Sequence, residues 1–249
     1  LPLRSEYSAS DEGRINKGAA KIIFGKVYLT KGDFQKAKDK LAEVVEHESE
    51  YGIGLHKAYH ANWLRDTEAG IEAVLYIEYK EPPFQHNGEM ALAGPKYSIP
   101  GSLGISALNE ADIPTQELYD QFDNRDLRKK TNFKTEFAHL KTGEILKSSI
   151  PLSGKFWVEG LESGVRCDVN MHIIRYADAI LMYAEALNEV GESTKALAML
   201  NRIRERAFGD DSGNFKPMSK DEYRTALLNE RRLVRVSTSR YNYSTNERA

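Results

Sequence analysis

Apolar residues recur every three to four positions from about Arg14 to Thr30, where Ala20, Ile23, Phe24, Val27 and Tyr28 predict one apolar face of a helix. Lys31-Gly32-Asp33 interrupts the pattern. Gly32 suits the position just past a helix end, and Asp33 suits the cap of the next helix. A second helix is predicted to about Glu48, with Phe34, Ala37, Leu41, Val44 and Val45 inward. So short a turn makes the pair an antiparallel hairpin. The design returns later. Tyr176 to Val190 predicts a helix with Ala177, Ile180, Leu181, Ala184 and Leu187 on one face. Gly191-Glu192-Ser193 breaks it, and a helix to about Ala207 carries Ala196, Leu200 and Ile203. Asp221 to about Val234 is a last amphipathic helix.

The two hairpins superpose in sequence. Gly25, Tyr28, Gly32, Ala37, Leu41 and Val44 match Ala184, Leu187, Gly191, Ala196, Leu200 and Ile203 at a constant offset of 159 residues. This order of small, large, glycine, alanine, large and apolar positions resembles the tetratricopeptide repeat, in which small residues permit close helix contact and the glycine turns the chain. Hairpins so far apart either meet through folding of the segment between them or pair with repeats outside this chain. A solenoid needs roughly three repeats to bury a continuous core, so two imply further sequence. The expected fold is mainly α: tetratricopeptide-like helical hairpins packed against a loop-rich region with a few short strands, of the α-α superhelix type.

Between the hairpins the periodicity changes. Glu72 to Tyr79 (EAVLYIEY) is a β-type run ended by Glu81-Pro82-Pro83. From Phe84 to Pro114 the chain is rich in Gly, Pro, Asn and Ser, longer than a compact domain keeps without a use. Thr115 to Phe122 restores a helix with Thr115 as its cap. Lys134 to Val158 carries hairpin-like stretches around Thr142-Gly143 and Ser153-Gly154.

Composition narrows the function more than the fold. The 249 residues are 41% hydrophobic and 29% charged, an ordinary globular balance. A net charge of −2 argues against nucleic acid as the partner. No apolar run reaches the ~18–20 residues of a spanning helix. The lone Cys167 forms no intrachain disulfide and has no adjacent base to activate it. The chain opens at Leu1 with no signal-peptide pattern, which reads as a processed product, an engineered chain or a piece of something longer. No GxSxG, Walker or GxGxxG motif is present, so the reading is a binder without cofactor, not an enzyme. His56 and His60 would align on a helix face, but no HExxH order or third ligand accompanies them, and no metal is assigned. Thirteen tyrosines suit a surface that stacks on a ligand while staying wet.

Two motifs are specific. Pro114 to Arg128 reads Pro-Thr-x-x-Leu-Tyr-Asp-x-Phe-Asp-x-x-Asp-x-Arg, and Arg175 to Glu189 reads Arg-Tyr-Ala-Asp-x-x-Leu-Met-Tyr-Ala-Glu-Ala-Leu-Asn-Glu. With GRINKGAAKIIFGKVYLTKGDFQKAKDKLAEVV before them and LLNERRL after, the order resembles the C-terminal half of the SusD/RagB family across nearly all of residues 14–233. The resemblance implies an outer-membrane, cell-surface lipoprotein that captures nutrients, usually glycans, for a SusC-like TonB-dependent transporter. It also implies that the lipid anchor and the N-terminal half lie outside this chain. The tail after Leu233 (VRVSTSRYNYSTNERA) departs from the family pattern. The whole chain reads as a single C-terminal region: a hairpin at 14–48, a loop-rich insert at 49–170, a hairpin at 171–207 and a helix at 221–234.

A sugar binder needs flat aromatic faces flanked by amide and charged groups. Phe84, His86, Asn87 and Tyr97 in the long loop, and Trp63 before the strand, are the expected glycan contacts. The resemblance supports that choice, because the family places its contacting aromatics on loops between the strand and the Pro-Thr helix. Trp157 is expected in the core. Arg175, Asp178 and Glu185, charged within an apolar helix, are expected to form a buried polar network. Asp120, Asp123, Asp126 and Arg128 are expected to form a capped turn with local ion pairs. The alternatives are a peptide-capturing relative, a repeat scaffold binding only protein, or a glycan-degrading enzyme.

Overall fold

The computed structural model describes residues 1–11, 13–79, 94–99, 103, 109–111, 113–139, 141–157 and 168–236. Two long helices, α1 (Lys17–Thr30) and α2 (Phe34–Val45), form the first hairpin. Two more, α6 (Tyr176–Glu189) and α7 (Ser193–Phe208), form the second, and α8 (Lys220–Val234) packs beside it. Single-turn helices α3 (Glu48–Tyr51), α4 (Gln116–Asp120) and α5 (Arg128–Asn132) lie between.

The hairpins are built alike, as their shared spacing predicts. Gly32 and Gly191 both take a left-handed φ, +77° and +89°, which only glycine adopts without strain. Asn16 caps α1 by accepting the Ala19 N–H (3.0 Å), and the Asp33 carboxylate caps α2. Gly25 is where the two backbones close up. A Cβ there would lie 2.5 Å from Leu41 Cγ, so the position must be glycine for Leu41 to seat.

One detail differs from the sequence reading. The buried face of α1 is Gly18, Ala19, Ile22, Gly25 and Leu29. The predicted stripe is rotated outward, with Phe24 58% and Val27 49% exposed. Small residues face α2 because they let the helices approach. The bulkier apolar side chains are therefore left outside.

The hairpins meet directly, α2 against α6. Tyr183 Oη donates to Glu46 (2.6 Å), Tyr176 Oη to Glu48 (2.7 Å), and Lys38 pairs with Glu192 (2.9 Å). The intervening segment thus loops out and returns. Helix α6 runs through the middle of the main core, with Ala177, Ile180, Leu181, Ala184 and Leu187 fully buried.

Two antiparallel two-stranded sheets carry the returning segment. Strand β1 (Ala73–Ile77) pairs with β4 (Met171–Arg175), Ala73 opposite Arg175. Strand β2 (Phe133–Ala138) pairs with β3 (Ile145–Ser153) around the turn containing Gly143, whose φ is +71°. Strand β4 has no signal of its own in the sequence, because it runs straight into α6 without a turn residue.

Buried ions tie sheets to helices. Glu72, fully buried, pairs with Arg175 (2.9 Å) and Arg206 (2.5 Å). Arg128, equally buried, is held by Asp126 (2.7 Å) and Glu230, and Glu230 also pairs with Arg204 (2.8 Å). Asp178 accepts the Arg175 N–H at the start of α6 (2.9 Å), and Glu185 pairs with Arg231. Both acidic motifs are therefore structural pairings, as expected of charges away from water. Asp123 likewise pairs with Arg125 (2.7 Å) in its turn, while Asp120 accepts from Gln116 (2.9 Å).

Candidate functional site

The described part of the long loop presents one ring to solvent. Tyr97 is 76% exposed, although its chain neighbours Ser98 and Ile99 are buried. Ile99 and Leu103 sit in a small core with Phe137 of β2 and Leu152 of β3. The Ser98 carbonyl accepts from Ser149 N–H (3.0 Å), so the segment lies along β3. Anchored on both counts, the loop displays Tyr97 from a fixed base. The Lys96 ammonium stands 5.1 Å from the ring centroid.

A carboxylate organises the same turn. Glu110 Oε2 accepts the N–H groups of Lys96 (2.7 Å), Tyr97 (2.5 Å) and Ser98 (2.9 Å). The Glu110 N–H closes the ring onto the Gly94 carbonyl (3.0 Å). Burial raises the Glu110 pKa, but the three amide hydrogen bonds outweigh it and hold the carboxyl below its ordinary range. Glu110 itself takes a φ of +49°, the one positive φ at a non-glycine among the described residues. No sequence signal marks it: a single glutamate in a loop has no spacing to read.

The other predicted contacts fall differently. Phe84, His86 and Asn87 lie outside the described residues. Trp63 is not a platform. It is 6% exposed, in a 3-10 turn (Tyr59–Trp63), and packs with Tyr59, Phe156 and Val169. Its ring lies 4.8 Å from Tyr59, with the Lys155 ammonium 4.7 Å and the Arg175 guanidinium 5.3 Å from its centroid. The hydrophobic gain of burying so large a ring, plus two cation–π contacts, draws it inward. Trp157 packs edge-on against Phe137 (4.7 Å), a core role as expected. His56 and His60 share no helix face, since only a single turn begins at Tyr59. Cys167 lies outside the described residues, and among those described no three metal-ligating side chains cluster. No helix among them is long and apolar enough to cross a membrane.

Two shallow clefts lie away from Tyr97. One, of about 190 Å³, opens between the N-terminal segment and β1, lined by Arg4, Tyr7, Arg14 and Tyr76. The other, of about 300 Å³, lies between the α4–α5 connection and α7, and includes Asp123, Arg125 and Phe208.

Two repeat-like hairpins enclosing a looped-out, sheet-bearing insert define an α-helical superhelix-type fold with a largely non-helical insert. The comparisons narrow this class. Residues 162–233 match the profile of the SusD family. SusD-like protein P2 of Formosa agariphila is 28% identical over 250 residues, covering 88% of this chain and 48% of the relative. A SusD superfamily protein from Parabacteroides distasonis superposes with a TM-score of 0.75 at 22% identity, covering 88% of this chain and 49% of that one. Surface glycan-binding protein A from Bacteroides thetaiotaomicron, solved in complex with laminarihexaose, superposes with a TM-score of 0.68 at 16% identity, over 95% of this chain and 57% of the other. The chain is thus similar to SusD-like proteins over most of its length and shares the SusD superfamily helical fold. It spans about half the length of the curated relatives it matches.

Proposed function

We propose that the chain is the C-terminal region of a non-catalytic, cell-surface glycan-binding protein that passes oligosaccharide to a SusC-like TonB-dependent transporter. Membrane attachment in this reading comes from a lipid anchor, not from a spanning helix. The match of residues 162–233 to the SusD family supports the class of ligand, as does the laminarihexaose bound by one structural neighbour. The observation that carries the reading is the Tyr97 ring, held out to water between the buried Pro95 and Ser98 with its own N–H bonded to Glu110. A fixed aromatic face gives a sugar an apolar surface without an ordering cost on binding. Phe84, His86 and Asn87 join Tyr97 in the proposed contact set, and Trp63 serves as packing beneath the insert.

Affinity electrophoresis through gels containing laminarin, starch or xylan tests the proposal. Retardation by at least one polysaccharide is expected, and Tyr97→Ala weakens it roughly tenfold. Binding to peptide mixtures with no retardation by any polysaccharide overturns the reading in favour of peptide capture. Release of reducing sugar overturns the non-catalytic assignment.

A further inference from the structure

We infer that Glu110 is the positioning residue of the Tyr97 platform: its carboxylate, by gathering the amides of residues 96, 97 and 98, holds the ring in its ligand-accepting posture. The inference rests on the proposed glycan reading of Tyr97 and adds the element that orders it. Three successive backbone N–H groups pointing at one oxygen form a concave amide nest, which ordinarily binds an anion. Here the anion is supplied by the chain itself, from a residue 13 positions beyond Tyr97. The bonds are charge-assisted and converge within 2.5–2.9 Å.

Among the described residues, the hydrogen bonds to the Lys96 and Tyr97 amides come from Glu110. Pro95 and Ser98 flank Lys96 and Tyr97, both of which are exposed. Among the described residues, the Tyr97 ring is approached by the Lys96 ammonium. The ring's direction therefore depends on the backbone beneath it, and that backbone depends on Glu110. The left-handed backbone at Glu110 is what aims the carboxylate back into the nest.

The experiment uses the full chain in four forms: wild type, Glu110→Ala, Glu110→Gln and Tyr97→Ala, plus the double variant. Amide NMR reports the ordering of residues 96–98 without any ligand, and affinity electrophoresis in whichever of the three gels retards the wild type reports binding. In Glu110→Ala the three amides should lose their order and binding should weaken roughly fivefold, while the melting temperature stays close to wild type. Glu110→Gln, which keeps an acceptor oxygen but no charge, should restore part of both. On the Tyr97→Ala background, Glu110→Ala should cost less than about twofold more, because its effect runs through the ring.

Equal amide order in Glu110→Ala and wild type overturns the clamp. Lost order with unchanged binding, while Tyr97→Ala still weakens it, overturns the positioning role alone. Unchanged binding in Tyr97→Ala overturns the site reading itself, and the positioning role with it.

Discussion

Glu68 and His172 titrate against each other in the same pH window, which makes their separation the sharpest physical test of the fold. Glu68 is 5% exposed; its carboxylate accepts the Asn170 N–H (2.8 Å), and its carbonyl meets His172 Nε2 (2.9 Å). Burial, with Asp168 and Glu78 adding and Arg65 opposing, pushes the Glu68 carboxyl from 4.5 up to about 7. His172, 3% exposed, is pushed by burial from 6.5 down to about 4. A raised pKa means the folded state holds the extra proton. The Glu68 contribution is fully present below 4.5 and disappears as pH rises through about 7.

The histidine runs the other way. Its neutral form favours folding above 6.5, and that contribution is lost as pH falls through about 4. Each shift is worth about 3 kcal/mol across its window. The two nearly cancel in the wild type. Glu68→Gln keeps an acceptor for Asn170 N–H but removes the titration, leaving the histidine unopposed. Relative to wild type, its stability should therefore fall by about 2–3 kcal/mol between about pH 8 and about pH 4.5. Urea midpoints at the two pH values, with the slope checked for constancy, measure this. A wild-type-like pH difference in Glu68→Gln would refute the reasoning.

Two further predictions concern packing. Glu72→Gln leaves Arg175 and Arg206 without their shared carboxylate in a dry site and should cost about 3–5 kcal/mol, read as a lowered urea midpoint. Loss under 1 kcal/mol would show that water reaches the pair. On α1, Ile22→Ala should cost about 2–5 kcal/mol and Phe24→Ala under about 1, a contrast in melting temperature set by which face meets α2. Equal losses would return the buried face to the one read from sequence.

Much of the scaffold was legible because two kinds of signal agreed. The glycines at 32 and 191 marked the turns, and Ala37, Leu41 and Val44 repeated in Ala196, Leu200 and Ile203. The face of α1 was not legible, since that helix is apolar nearly all round and its contact side is chosen by small residues at 18, 19 and 25. Arg175, a charge read in sequence as part of an apolar helix but placed at the end of β4, announced that a partner existed. Its identity, Glu72, is 103 residues away and follows only from the pairing of β1 with β4. At the proposed site, Tyr97 is chosen from sequence by residue type alone, and the structure shows its ring exposed. Trp63 could not be excluded by the same rule, because aromatic bulk suits a core and a sugar equally well.

The far end of α8 is grasped by groups that precede it in the chain. The Val234 carbonyl accepts from Arg175 (2.9 Å) and Tyr59 (3.5 Å), and the Val236 carbonyl from Lys155, whose ammonium burial drives well below its usual pKa. Until those two peptide groups emerge from the ribosome, Lys155 and one arm of Arg175, both made earlier, lack their carbonyl acceptors. Synthesis order therefore imposes a delay: the hairpins can assemble as they appear, but the insert locks only once position 236 is free of the exit tunnel.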